Sequence, residues 1–249
     1  MVDDWDDRFE RPADFELDPE VLYTFSRFEY LDLLKVGQLW FAPSKTYNDI
    51  HEDTVFARPA DILSPGDPYS AALTGEGSIR RWLRSQVIRC FTPDPTNTLM
   101  WSHYAESHKG VCVGFSLEKL KQKMHGGINL SHRKVRYSST PTVTYIGGAP
   151  SDEVISRLAT EAMLSKSIHW AYEKEHRFYT EDPGMANNGG GLIDVGSDAV
   201  VEVIFGTNVS QETMIAETQK LPKGVKGRRA YHNLGALSYD LQILDIKTL

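Results

Sequence analysis

The sequence predicts an α+β fold: a single domain with a mixed, mostly antiparallel sheet, whole or split, and flanking helices. Three observations predict it. Strand-like and helix-like hydrophobic patterns are interleaved without the regular alternation of a doubly wound sheet. The folded part opens strand–helix–strand. No internal repeat and no change of composition marks a second domain. At 249 residues with 41% hydrophobic content, the chain is long enough to bury one sizeable core. The expected organisation is an acidic tail over residues 1–20 and one domain over 21–249.

Taken in order, Leu22-Tyr23-Thr24-Phe25 reads as a short strand. Ser26-x-x-Glu29 then has the spacing of a capping box, opening a helix with Tyr30, Leu33 and Leu34 on one side and Gly37 as its stop. Gln38 to Ala42 is the next strand, ending at Pro43. Ser44–Asp53 is rich in turn formers, and Pro59, Pro65, Gly66 and Pro68 extend the loop reading. Ile79, Trp82 and Leu83 mark a short helix, and Val87 to Thr92 a strand. Asn97 is a natural N-cap for a helix from about Leu99 to Glu106, closed by Gly110. Val111 to Phe115 has the unbroken apolar character of a buried strand. Lys134–Tyr137 and Thr142–Tyr145 follow as strands. Ser151 or Asp152 opens a long helix through Val154, Leu158 and Ala162 toward Trp170. His176–Thr180 and Val200–Phe205 are strands separated by a glycine-rich loop over Pro183–Gly196. A helix over Gln211–Lys220 and a strand over Ser238–Ile246 complete the domain.

The net charge of -7 is concentrated at one end. Residues 1–20 hold nine of the 34 acids and two of the 27 bases, which leaves 25 of each in the body. A neutral body argues against a dedicated nucleic-acid binder, and the acidic stretch reads as a solvated tail. No window approaches the roughly 18 consecutive apolar residues of a membrane span, and the acidic N-terminus is unlike a signal peptide. Cys90 and Cys112 are too few for a disulfide framework. A soluble, cytoplasmic protein that does not engage membranes is the expectation.

No phosphate-binding P-loop, dinucleotide fingerprint or nucleophile elbow is present. Gly189-Gly190-Gly191 is not followed by a clear helix that could hold an anion, so a loop is the expectation there. His103, Glu106 and His108 form the strongest metal candidate, but His103 and His108 are five apart and point in different directions on a helix. No metal site is expected. Four clusters remain. Tyr47-Asn48-Asp49-Ile50-His51-Glu52 reads as a turn. Met100-Trp101-Ser102-His103-Tyr104-Ala105 places Met100 and Tyr104 on one helix face. Trp170 to Phe178 carries Glu173, Glu175 and Arg177, which share one strand face at period two. They form either a structural ion-pair network or a site where Arg177 keeps a carboxylate ionised and oriented. Lys223–Arg229, with four bases, reads as a solvated loop.

The order Leu22-Tyr23, Asn48-Asp49-x-x-Glu52, Cys90-Phe91, Met100 to Ala105 through Gly110, Lys166, and Trp170-x-Tyr172-Glu173-x-Glu175-x-Arg177 resembles the bacterial domain of unknown function 2971 family. The resemblance extends to Val203-Ile204-Phe205-Gly206 and covers about residues 21 to 246, with Ile50 standing where relatives carry proline. A looser resemblance is to the ADP-ribosyltransferases, especially the DNA-modifying toxins, which also open on a Leu-Tyr strand and place a glutamate on a later strand. That resemblance implies NAD as substrate. Glu175 would be the catalytic carboxylate that steadies an oxocarbenium-like transition state, with Glu173 as the rival assignment. Tyr104 or Trp101 would stack on nicotinamide, and Tyr23, Thr24, Asn48, Glu52, His103 and Arg177 would complete the NAD site. It further implies a protein or nucleic-acid acceptor, an antitoxin or regulator, and a role in bacterial conflict such as phage defence. The histidine or arginine of those enzymes' opening strand is replaced here by Thr24 or Phe25.

Two other readings stand beside this one. In the first, Asn48, Glu52, Tyr104, Glu175 and Arg177 form a structural polar network in a non-enzymatic module that binds a ligand or partner. In the second, the Asp, Glu and His clusters serve a metal-dependent hydrolase.

Overall fold

The computed structural model describes residues 18–47, 56–59, 68–125, 129–140, 143–146, 151–233, 235 and 238–246. Within them the expected sheet is split in two. The first sheet has five strands: β1 (Val21–Ser26), β5 (Val111–Ser116), β12 (Val200–Phe205), β13 (Lys226–Tyr231) and β14 (Gln242–Asp245), in that spatial order. The second has the order β11 (Gly191–Asp194), β2 (Gln38–Pro43), β4 (Gln86–Phe91), β10 (His176–Glu181) and β6 (Ser131–Lys134). Two small pairs, β3 (Phe56–Pro59) with β8 (Val143–Ile146) and β7 (Arg136–Ser138) with β9 (Ser165–Ser167), are parallel, as is β12 with β13. The other strand pairs are antiparallel. The fold is α+β with mixed, mostly antiparallel sheets.

Strand alternation explains how the layers stack. Val111, Val113 and Phe115 of β5 and Val203 and Phe205 of β12 face the same core as Leu39 and Phe41 of β2 and Phe178 of β10. The main core therefore lies between the sheets. Phe91 ties its two sides together, meeting Phe115 edge-on at 5.8 Å and Phe178 at 5.3 Å. On the far side of the second sheet, α2 (Pro68–Ser85) and α5 (Asp152–Met163) cover Ile88 and Tyr179 with Ile79, Leu83, Leu158 and Met163. On the far side of the first sheet, α3 (Thr98–Tyr104) lays Met100 and Trp101 against Phe25, Cys112 and Ile204. The sheets touch through one antiparallel bridge in which Tyr23 and Thr92 exchange backbone bonds of 2.7 and 2.8 Å.

Several local expectations are corrected. Ser26 stays in β1. The turn over Phe28–Tyr30 is a 3-10 helix whose N-cap is Arg27, with no side-chain capping bond, and only Leu31–Leu34, α1, is α-helical. Leu31 and Leu34 are buried and Tyr30 is exposed, because residues three apart share one face of a helix. The helix expected around Ile79 is the end of α2, which begins at Pro68, where a missing backbone N–H is harmless. The strand expected over Lys134–Tyr137 is divided between β6 and β7. The α5 helix stops at Met163 rather than near Trp170, and the chain continues as β9 and a 3-10 turn over Ile168–Glu173. Helix α4 (Leu117–His125) was not expected. The glycine-rich loop contains α6 (Pro183–Asn187) and β11. The basic Lys223–Arg229 segment is largely β13, not a loop. A last helix, α7 (Gln211–Thr218), and the caps at Asn97 and Ser151 agree with the sequence. Among the described residues no helix is long and apolar enough to cross a membrane.

One turn requires its glycines. Glu106, Ser107 and His108 are all left-handed, with φ of 50°, 51° and 68°. The strand end is fastened to them: Gly206 N–H bonds to the Gly110 carbonyl at 3.0 Å, and Asn208 N–H to that of His108 at 3.0 Å. A Cβ on Gly206 would lie 2.1 Å from the His108 carbonyl oxygen, so no side chain fits there.

At the β6–β10 pairing two histidines are buried together. His132 Nε2 lies 3.0 Å from His176 Nδ1, and the rings stack at 5.2 Å, with His132 also on Phe178 at 4.5 Å. Burial lowers both, His132 to about 4 and His176 to about 3, with nearby Lys121, Lys134 and Arg133 adding to the effect and Asp18 opposing it. A depressed folded-state value means that the unfolded chain binds the protons first, so the pair has no effect on stability well above pH 6.5 and destabilises the fold increasingly as pH falls from 6.5 to about 3. The melting temperature should drop across that window as up to two protons are taken up. In His132→Phe the drop should be shallower when melting is followed against pH.

Candidate functional site

The cavity sits where the two sheets meet. It has a volume of about 380 Å³ and draws its walls from β1 (Tyr23, Thr24, Phe25), β2 (Trp40, Ala42), β4 (Ile88 to Phe91) and α3 (Met100, His103, Tyr104), with Thr46, Tyr47, Lys166, Glu173 and Glu175 completing it. That volume lies in the range of small-molecule sites. Each wall has a local cause. Asn97 Oδ1 accepts from the backbone N–H of Leu99 at 2.9 Å and of Met100 at 3.3 Å, fixing the start of α3. Trp101 anchors that helix: its indole donates to the Pro95 carbonyl at 2.7 Å, and its ring meets Phe25 edge-on at 5.1 Å. Tyr104, three residues on, is thereby presented to the cavity.

The acidic end is built differently from the period-two expectation. Glu173 ends a 3-10 turn, Lys174 is left-handed at φ 45°, and only Arg177 lies within β10. The reversal at Lys174 still brings both carboxylates to one ammonium. Lys166 Nζ is 2.6 Å from Glu173 Oε2 and 3.3 Å from Glu175 Oε2. Arg177 grips Glu175 through Nε to Oε1 at 2.8 Å and Nη2 to Oε2 at 3.1 Å, while its Nη1 donates to the Met163 carbonyl at the end of α5. Tyr104 donates to Glu173 Oε1 at 2.6 Å. The Glu175 backbone N–H donates to the Tyr137 hydroxyl at 2.8 Å. All four charged side chains are buried.

The two carboxylates are held in different states. Burial acts against ionisation of Glu175, but Arg177 and Lys166 outweigh it and hold the group at about 2. For Glu173 burial prevails, reinforced by the charge of Glu175, and its pKa is raised despite Lys166 and Tyr104. One carboxylate is thus a fixed anion with both oxygens gripped by cations. The other, at the cavity wall, has its pKa raised. Neighbouring acids driven apart in this way are the usual arrangement for divided roles in catalysis.

Of the residues expected at the site, Tyr23, Thr24, His103, Tyr104, Glu173 and Glu175 line the cavity. Arg177 stands behind Glu175, away from the lining. Trp101 does not reach the cavity: it is fully buried in the adjoining core, so of the two rings named for stacking only that of Tyr104 faces the space. Asn48 and Glu52 lie outside the described residues. Sequence reasoning passed over Arg89, Trp40 and the lining role of Tyr47. The signal for Arg89 was present, since a lone charge interrupts the otherwise apolar strand Val87-Ile88-Arg89-Cys90-Phe91.

Residues 100–178 match the family described as "Protein of unknown function (DUF2971)". That stretch contains α3, Lys166 and the Glu173–Glu175–Arg177 cluster, while Thr24 and Arg89 precede it. No curated protein and no solved structure matches the chain.

Removing the Glu175 charge should expose how strongly the cluster is coupled. Glu175→Gln takes from the buried Arg177 guanidinium the carboxylate that it grips through two nitrogens, and breaking a buried pair costs about 3–5 kcal/mol. Urea unfolding should register that loss with an unchanged slope.

Proposed function

We propose that the cavity is an active site that breaks the N-glycosidic bond of NAD, releasing nicotinamide and passing the ADP-ribosyl group to an acceptor or to water. The observation that carries this reading is the unequal carboxylate pair at the wall of an aromatic-lined cavity. As the bond from the ribose carbon to the pyridinium nitrogen breaks, its electron pair leaves with neutral nicotinamide and positive charge develops on the sugar. A preplaced carboxylate stabilises that charge. Glu173 suits the role better than Glu175, because its pKa is raised rather than lowered and its partners include a neutral phenol and an ammonium. As a carboxylate it also accepts the proton that the incoming nucleophile loses on bonding to the sugar carbon. Glu175 and Lys166 then position it. Tyr23, Trp40, Tyr47 and Tyr104 offer flat surfaces for a planar ring.

One observation favours a second reading. Every charged group of the Lys166–Glu173–Glu175–Arg177 cluster finds a partner within the protein, as in a network whose purpose is shape. On that reading the cavity binds its ligand and releases it unchanged.

Incubation of the purified protein with NAD, with and without cell lysate as acceptor, separates the two when free nicotinamide is measured. The expected outcome is release that falls at least about 100-fold in Glu173→Gln while the melting temperature is kept or raised. Because Glu173 acts as a carboxylate and its pKa is raised, the rate should climb with pH through a limb above the ordinary carboxylate range. That limb should vanish in the variant. No release by the unaltered protein under either condition favours the binding module.

A further inference from the structure

Among the described residues the charges around the cavity do not balance. Lys166 and Arg177 offset Glu173 and Glu175, and Arg89 remains. Its Nη2 donates to Thr24 Oγ1, and its Nη1 to the Trp40 carbonyl at 3.4 Å. Both acceptors are neutral. Its Nε is shut away from solvent with no acceptor at all. Among the described residues no carboxylate forms an ion pair with it. A guanidinium has five N–H donors, and two of these five are used. Burial pulls its pKa below the usual arginine value, though far from the point where arginine loses its proton. A charge set into an apolar strand without a counter-ion is costly, and this one lines the cavity.

We propose that Arg89 is the anchor of an oxyanion subsite, and that the cavity takes a small molecule carrying a phosphate or carboxylate group that sits against it. The geometry favours an oxyanion over other acceptors. Arg89 presents a planar fork whose Nη atoms each keep a free hydrogen, which suits two oxygens of one anionic group. The Thr24 hydroxyl beside the fork is already turned to Arg89 and donates onward to the Cys90 carbonyl at 3.3 Å, so it holds the fork in place. A volume of about 380 Å³ is that of a small-molecule site. The inference rests on the reading above only in taking this cavity as the place where the ligand binds. It does not require that the ligand be cleaved.

The test is titration calorimetry on the full chain at fixed ionic strength, using inorganic pyrophosphate and malonate as the probes, with melting curves run alongside. The expected result is saturable binding of at least one probe, weakened at least about tenfold in Arg89→Met and less in Arg89→Lys, which keeps the charge and loses the fork. Without a probe, Arg89→Met should melt at the same temperature as the unaltered protein or higher, since a half-buried cation that forms no ion pair among the described residues has been removed. The bound probe should raise the melting temperature of the unaltered protein by a few degrees and leave that of Arg89→Met unmoved. Which probe binds tells phosphate from carboxylate. Binding of neither probe, or equal binding by the unaltered protein and both variants, overturns the proposal. If the protein releases no nicotinamide yet loses the probe in Arg89→Met, the reaction fails and the subsite stands. If release is seen and binding ignores Arg89, the reverse holds.

Discussion

Four buried charges hold this molecule's centre: Lys166 between Glu173 and Glu175, and Arg177 gripping Glu175 from behind. Taking such groups out of water is costly, and their mutual attraction repays the cost only when geometry is good and the remaining donors are satisfied. Here the end of α5, the strands β7, β9 and β10, and the 3-10 turn before β10 all converge to meet that condition. Met163 supplies a carbonyl, Tyr137 a hydroxyl, and Tyr104 of α3 a phenol. An apolar cluster could fill the same volume in many ways. This one has a single arrangement in which every partner is met, so the elements that carry its members are fixed relative to one another.

That constraint explains why a cavity survives in a well-packed protein. The core between the two sheets is continuous around Phe91, Phe115 and Phe178, but the sheets join through a single bridge at Tyr23 and Thr92. To one side of the bridge apolar side chains interlock. To the other, Thr24 of β1 and Arg89 of β4 line the cavity, with Lys166, Glu173 and Glu175 in its acidic wall. The opening between the sheets and the charged wall are complementary results of one topology.

Legibility in the sequence followed the range of the forces involved. Elements set by local chemistry were readable: the opening strand, the Asn97 and Ser151 caps, the apolar run of β5. Those that depend on distant partners were not. The strand character of Lys226–Tyr231 comes from pairing with β12, which its basic composition conceals. The α5 helix ends where Met163 must offer its carbonyl to Arg177, a demand invisible in the local pattern. At the site, Glu173, Glu175 and Arg177 were correctly grouped for the wrong reason, since a left-handed residue rather than strand periodicity unites them. Trp101 has a ring suited to stacking, but the aromatic pair it makes with Phe25 holds it in the core. Arg89 stood in plain view as a charge inside a buried strand. Without its neighbours it could not be told from an arginine reaching out to solvent.

The bond from the Tyr23 hydroxyl to Glu202, 2.6 Å long, joins residues 179 positions apart. β1, which carries one wall of the cavity, finds its neighbour only when β5 has been made, and Glu202 comes later still. Lys166, Glu173 and Glu175 enter between those points. The pocket therefore has no local form: its lining runs from Tyr23 to Glu175, and the carboxylate that holds the Tyr23 hydroxyl follows only at Glu202. A fragment that stops short of Glu175 lacks part of the cavity wall itself, and one that stops short of Glu202 lacks the anchor of Tyr23.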